Sequence, residues 1–355
     1  MNIASVLSKW YQRNKRDLPW RHTNDPYIIW LSEIILQQTR VEQGLPYFEK
    51  FSEFFPTIKH FASAHEDKIL KMWQGLGYYS RARNMHHAAK EIVKNYNGIF
   101  PEEFSELKKL KGIGDYTAGA IASFAFNKPH PVVDGNVYRL LSRFLGIKDP
   151  IDSPKGKKIF LRLAEDLLDK KNPGLHNQAI MEFGAMQCKP ANPDCFSCPL
   201  NINCFAFKNK KVNQFPVKSK TQKIRERFFH YLFIKWKKDI FLNKRTGNDI
   251  WKNLFEFPLI ETNKKTSPAI LMKTREWKNI FGSLDFYISN VSMEYKHKLS
   301  HQTIRAHFYE IELKTKPQQI FKKQFLEIKE EKIIHYGVPR LIDRFLNQNI
   351  NSAKS

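Results

Sequence analysis

No run of apolar residues in this 355-residue chain approaches the roughly 18 needed to cross a bilayer, so a helical membrane anchor is excluded. The N-terminus, MNIASVLSKWYQRNKRDLPW, lacks the apolar run and small-residue cleavage site of a signal peptide. A cytoplasmic protein is therefore expected, in a compartment where structural disulfides are rare. Cysteine is scarce, with four residues, and that setting leaves those four needing another explanation. Acids are also short: 35 Asp and Glu face 59 Lys and Arg, for a net charge of +24. Such a field attracts polyanions, of which nucleic acid is the commonest. Solubility or a Lys-favouring codon bias would produce the same excess, so charge alone does not decide the partner.

At this length one hydrophobic core is rarely enough, and two domains are expected. From residue 1 to about 207 the pattern is helical throughout. Ile3, Val6, Leu7 and Trp10 share one helical face, and Asp25-Pro26 reads as a cap followed by a first-turn proline. The helix begun there is expected to continue until Pro46 interrupts it, and another is expected from Pro101. Residues 208–227 are rich in Lys and Arg and read as a linker. From Phe228 alternating, β-rich runs appear (FFHYLFIKWKKDIFLNKR, HFYEIELK), with a helix expected over 268–281. The second domain, 228–347, is thus mixed α and β, and 348–355 reads as a frayed tail. No internal repeat is present.

Three features carry chemistry. In LKGIGDYTAGA (110–120), Gly112 and Gly114 flank one isoleucine between helical stretches. Glycines leave backbone N–H groups uncovered, and the following helix adds its positive end, an arrangement suited to a phosphate. A plain helix–helix corner would use glycine too. Cys188, Cys195, Cys198 and Cys204 follow the spacing C-x6-C-x2-C-x5-C, close enough in sequence for four thiolates to surround one metal centre. Zinc is the commonest occupant of such a set, and an iron–sulfur cluster is the alternative.

The third feature is a pair of carboxylates. Glu33 has Ile29, Trp30, Leu36 and Gln37 as helical neighbours, a desolvating setting that raises a carboxyl pKa. Asp134 precedes a helix in PVVDGNVYRL, where the helix N-terminus favours the anion. A salt-bridge partner and a simple cap are the ordinary readings. Together, pushed in opposite directions, they form the pattern of a proton donor and an anionic stabiliser.

The hairpin resembles the helix-hairpin-helix motif of DNA repair glycosylases, and the cysteine spacing is similar to the [4Fe-4S] loop of the endonuclease III and MutY superfamily. LPWR (18–21), SEIILQQTRV (32–41), WQGLGYYSRARN (73–84) and VDGNVYRL (133–140) extend the resemblance to adenine DNA glycosylases of the MutY type. That resemblance implies an all-α helix-hairpin-helix glycosylase domain over 1–207, with its hairpin part at about 21–130 and its cluster part at 1–20 plus 131–207. A Nudix-like domain would follow. It implies hydrolysis of the N-glycosidic bond of adenine opposite 8-oxoguanine or guanine in double-stranded DNA, by a monomer. Glu33 would protonate adenine N7 and later activate or guide water, Asp134 would stabilise the sugar cation or form a covalent intermediate with it, and Tyr116 and Asn136 would position Asp134 and the nucleophile. Trp20, Arg21 and Glu182 would surround the extruded base. Gln38, Thr39 and Tyr78 would enter the duplex, Tyr78 as a wedge. LFEFPLIE (254–261) and HKLSHQTIRAHFYE (297–310) resemble the family's lesion-reading domain. Ser300 and His301 would contact 8-oxoguanine, with Leu299 where Phe is commoner. No GX5EX7REUXEEXGU arrangement is present, so no pyrophosphatase activity is expected.

Two rivals share these features. A bifunctional glycosylase/lyase for oxidised pyrimidines would need a lysine near the start of the second hairpin helix, where Tyr116 stands. A lesion-binding protein without catalysis would not need Glu33 and Asp134 together.

Overall fold

Helix α1 (Ile3–Asn14) buries Ile3, Leu7 and Tyr11 along one stripe, with Val6 and Trp10 partly covered beside them. That stripe packs on α9 (Gly135–Leu145), α10 (Pro154–Leu167) and α11 (Pro173–Met186), where Leu141, Phe160 and Phe183 are fully buried. The computed structural model describes residues 3–219, 224–317 and 319–352. Their contacts divide the chain into Met1–Ser63 with Asn84–Thr221, and Ala64–Arg83 with Gln222–Ser355. The sequence places 64–83 among the N-terminal helices, whereas its contacts group it with the C-terminal residues.

In the first unit α2 (Pro26–Leu36) is capped by Asp25, whose Oδ1 accepts from Tyr27 N at 2.8 Å. It is apolar on nearly every side, as a central helix must be. It packs on α8 (Asp115–Phe126), whose buried Thr117, Ala118, Gly119 and Ala120 permit a close approach. α2 stops at Leu36 and does not run on to Pro46. Gln37–Arg40 turn the chain, with Gln38 at φ 55° and Gln37 Nε2 donating to Thr117 Oγ1 at 3.2 Å. Pro46 then lies inside α3 (Val41–Phe54), in its second turn. α4 spans Ile58–Ser63, and α5 (Glu66–Met72) and the start of α6 (Ser80–Asn95) belong to the segment grouped with the second unit. The helix expected from Pro101 is one turn only, α7 (Phe104–Leu107), with no side-chain hydrogen bond from Glu103 at its N-cap position.

Residues expected as a linker are in part anchored. Arg143 Nε donates to Val212 O and Phe215 O at 3.1 and 3.3 Å, and Ile151 N donates to Val217 O at 3.0 Å. α12 spans Phe205–Lys208. Residues 220–223 lie outside the described residues.

The second unit is a mixed sheet. β1 (Arg225–Trp236), beginning before Phe228, turns into β2 (Asp239–Lys244) as a hairpin. β3 (Phe255–Glu256) pairs with β2, and β4 (Leu259–Thr262) pairs antiparallel with β1. The expected 268–281 helix is two pieces, α13 (Pro268–Leu271) and α14 (Arg275–Phe281), because Thr274 caps a new start by accepting from Trp277 N. β5 (Phe286–Val291) and β6 (Tyr295–Lys298) pair antiparallel with β7 (Gln302–Leu313), which runs parallel to β1. After α15 (Gln319–Gln324), β8 (Leu326–Lys329) pairs with β2. β1 is buried continuously from Phe229 to Ile234, as a central strand covered on both faces requires. One face packs Leu232, Ile234 and Ile311 against Trp277 and Phe281 of α14. On the other, Phe345 of α16 (Arg340–Ser352) stacks on Phe308 with centroids 4.2 Å apart. That helix takes in 348–352, which the sequence reads as tail, and 353–355 lie outside the described residues.

Candidate active site

A cavity of about 180 Å³ in the helical unit gathers Trp20, Arg21, Glu33, Tyr116, Asp134, Asn136 and Glu182, residues spread over 163 positions of sequence. It exceeds the roughly 150 Å³ that accepts a benzene ring, and so suits a planar heterocycle.

Glu33 projects from α2 and is 8% exposed. Burial pushes its carboxyl up to about 7, the hydroxyl hydrogen bond from Tyr116 opposes the rise, and the Asp134 charge adds to it. Burial also raises Tyr116 well above its ordinary value, so it stays a neutral donor. Asp134 caps α9: Oδ1 accepts from Asn136 N and Val137 N at 2.9 and 2.8 Å, and Oδ2 accepts from Asn136 Nδ2 at 2.7 Å. The cap is as expected, but its titration is not. Burial raises Asp134 too, against the Val137 and Asn136 hydrogen bonds and the Arg139 charge. The two carboxyls are therefore not pushed in opposite directions. Desolvation acts on both, and the N–H donors restrain it only at Asp134.

Glu182, 1% exposed, is no surface acid. Burial raises it, but Arg16 and Arg21 grip it hard enough to leave it at about 2. Arg16 Nη2 and Arg21 Nη2 each donate to Oε2 at 2.7 Å, and Arg16 N reaches Oε1 at 2.9 Å. Arg16 has no periodicity or motif to flag it. Trp20 is 9% exposed, edge-on to Phe48 at 5.0 Å, so it serves the core and lines the cavity at once.

Arg139 lies within VDGNVYRL, but the sequence assigns it no role. Its Nη2 donates to Asn136 Oδ1 at 2.9 Å and Gly184 O at 2.5 Å, and its Nε donates to Cys188 O at 2.8 Å. The cap around Asp134 is thereby tied to the cysteine loop.

A wider groove of about 1190 Å³ shares Glu33, Tyr116 and Asp134 with the cavity and continues past Gln38, Gly112, Gly114, Lys108 and Lys157. Thr39 lines the cavity itself. Gly112 sits at φ 84°, and a Cβ there would lie 2.7 Å from Asn84 Cβ, so only glycine fits. Gly114 is the N-cap residue of α8, and nothing lies within 4 Å of where its Cβ would stand.

Cys188, Cys195, Cys198 and Cys204 rim one small cavity of about 30 Å³. Burial raises Cys195 and Cys204 and pushes Cys198 up to about 11. Thiolates there need positive partners. The N–H groups of Leu200, Ala206 and Phe207 are already aimed at the sulfurs, and Arg143 Nη1 lies 3.5 Å from Cys188 Sγ. Hydrogen-bonded, half-buried sulfurs around one cavity fit a cluster of iron and sulfide. Among the described residues no group of three or more His, Cys, Asp or Glu is gathered so as to hold a single metal ion.

In the second unit Tyr78 is 47% exposed at the tip of a loop, with φ 46°. The left-handed region costs a bulky residue about 1–2 kcal/mol. Leu299–His301 form the turn joining β6 to β7, closed by Leu299 N to Gln302 O at 2.8 Å. Ser300 and His301 are exposed there, with Ser300 Oγ 3.1 Å from His301 Nδ1. No described helix is long and apolar enough to cross a membrane.

Known proteins resolve the class. The family model of the HhH-GPD superfamily of base excision DNA repair proteins matches residues 31–166, and that of the NUDIX domain matches 230–348. The chain overlays a thermostable thymine-DNA glycosylase with TM-score 0.54 at 27% identity, covering 58% of this chain and 95% of that one. An endonuclease III bound to DNA overlays with TM-score 0.51 at 22% identity, covering 59% and 94%, which shows shared fold. The molecule is thus a helix-hairpin-helix glycosylase followed by a NUDIX-like domain. The adenine DNA glycosylase of Buchnera aphidicola subsp. Acyrthosiphon pisum is 35% identical over 348 residues, 97% of this chain and 96% of that protein. The chain belongs to the adenine DNA glycosylase family.

Proposed function

We propose that the protein is a monofunctional, monomeric glycosylase that removes adenine opposite 8-oxoguanine or guanine in double-stranded DNA. Action on chromosomal DNA puts it in the cytoplasm with the nucleoid. The observation carrying the reading is the cavity where Glu33, held by Tyr116 and titrating at about 7, shares a wall with capped Asp134. No lysine lines that cavity among the described residues, and Tyr116 stands where a lyase needs an amine.

Glu33 enters the reaction protonated and gives its proton to adenine N7. The C1′–N9 bond breaks with its electron pair leaving on the base. The Asp134 carboxylate stabilises the sugar cation, and Tyr116 and Asn136 hold the two carboxyls in place. Water then adds at C1′ and returns a proton to Glu33, which restores the enzyme. Trp20, Arg21 and Glu182 bound the base site, and the Glu182 anion balances two arginines that would otherwise repel each other. The hairpin N–H groups at Gly112 and Gly114 hold a phosphate, with Gln38, Thr39 and Tyr78 entering the helix. In the second domain Ser300 and His301 contact the oxidised base.

The four cysteines would hold a [4Fe-4S] cluster, which supplies a structural cross-link and no bond-breaking. Broad visible absorption of the purified protein supports it; a colourless protein with one zinc per chain overturns it.

Single-turnover incubation with duplexes carrying A opposite 8-oxoguanine, A opposite G, or thymine glycol tests the function. Alkali-dependent breaks at adenine alone are expected. Alkali-independent breaks at thymine glycol would make the protein a lyase, and intact strands throughout would leave only lesion binding.

A further inference from the structure

Segment Ala64–Arg83 groups by contact with the C-terminal residues, although helices of the first unit flank it in the chain. Its centre, Gln74–Tyr79, joins α5 to α6 and is gripped by residues more than 250 positions later. Gln74 Nε2 donates to Asp343 Oδ1 at 2.7 Å, and Val338 N donates to Gln74 Oε1 at 3.4 Å. The Tyr79 hydroxyl donates to Val338 O at 3.4 Å. The ends of the segment are pinned as well. Asn253 Nδ2 donates to Glu66 Oε1 at 2.5 Å, and Arg83 Nη1 donates to Lys252 O at 2.8 Å.

Inside the loop, Trp73 Nε1 donates to Gly77 O at 3.0 Å. Arg81 Nη2 reaches Leu76 O and Gly77 O at 3.3 Å, and its guanidinium lies 5.8 Å from the Tyr78 ring. What these contacts present is Tyr78, an exposed aromatic ring on a left-handed backbone. Such strain persists only where the surroundings over-determine it. Here part of the determination comes from Val338 and Asp343, outside the helical fold.

We propose that the C-terminal domain positions Tyr78 for insertion into the duplex, with Asp343 and Gln74 as the latch. The half of the chain that carries the Ser300–His301 turn then also sets the side chain that fills the gap left by an extruded base. The proposal rests on the reading of the protein as a base-extruding glycosylase. Asp343 and Gln74 touch no base; they act through the loop, which a ring must hold still if it is to keep a stack open.

The full-length protein is mixed with a duplex carrying A opposite 8-oxoguanine and 2-aminopurine beside the adenine. The fluorescence rise on unstacking, the single-turnover excision rate and the thermal midpoint are measured for wild type and variants. Asp343→Ala and Gln74→Ala are each expected to lower the fluorescence rise and the rate severalfold. The double variant should lose no more than either alone, and Asp343→Asn, which keeps an acceptor oxygen, should recover most of the loss. If Tyr78→Ala loses both signals while Asp343→Ala and Gln74→Ala keep them, the latch is overturned and the excision reading stands. A lowered midpoint with unchanged fluorescence likewise reduces the latch to a structural contact. Full fluorescence and rate in Tyr78→Ala overturn the intercalating role and the latch together. A wild type that releases no adenine removes the reading beneath both.

Discussion

Glu33 in the helical unit and Glu256 in the sheet unit look alike by electrostatics. Both are buried, both receive a tyrosine hydroxyl (Tyr116 and Tyr231), and burial is the main cause raising each to about 7. They differ in where their oxygens point. Arg245 Nη1 holds both oxygens of Glu256 at 2.9 Å, and its Nη2 also pairs with Asp249 at 2.8 Å, closing an ion network that includes Arg227. Glu33 instead lines a cavity able to take a planar base. A perturbed pKa therefore records burial, and only access to a reacting atom makes it a candidate for catalysis.

Glu33→Gln is the variant expected to break that likeness furthest. Single-turnover adenine release should fall at least ~100-fold, the low end for losing a general acid, with duplex binding kept. Its stability should move the other way. A carboxyl raised from 4.5 to about 7 is most favourable to the fold below 4.5, and its contribution is lost as pH rises through about 7. At about pH 8 the buried anion costs up to about 3 kcal/mol, so this variant should melt no lower than wild type. Glu256→Ala should do the reverse. Stripping Arg245 of its partner costs about 3 kcal/mol in denaturant unfolding, while excision per folded molecule stays at the wild-type rate. Equal stability losses in both variants, or equal activity losses, would erase the distinction.

A smaller effect belongs to the exposed turn of the sheet unit. Ser300→Ala removes one hydrogen bond, worth about 1 kcal/mol, so preference for 8-oxoguanine over guanine opposite adenine should drop about fivefold. Competition between the two duplexes measures it; an unchanged ratio would make 299–301 a plain β-turn.

What could be read from sequence was local. The Asp25 and Asp134 caps and the tight turn at Gly112 depend on residues a few positions apart and stand where expected, and the four closely spaced cysteines rim one cavity. The break at Gln37–Arg40 was hidden because QQTR holds neither glycine nor proline; a hydrogen bond to Thr117, eighty positions on, helps hold the turn. Arg16 and Arg139 escaped for the same reason, since their partners Glu182, Gly184 and Cys188 lie far along the chain. The expected divergence of Glu33 and Asp134 failed because a helix N-terminus is a local property and desolvation is a tertiary one.

The central claim is that Glu33 is the proton donor and is poised near neutrality. The pH dependence of single-turnover adenine release at saturating enzyme tests it most directly. The acid form is lost as pH rises through about 7, so above that point the rate should fall roughly tenfold for each further pH unit. A rate that stays level or climbs from about pH 6 to about pH 9 would contradict it.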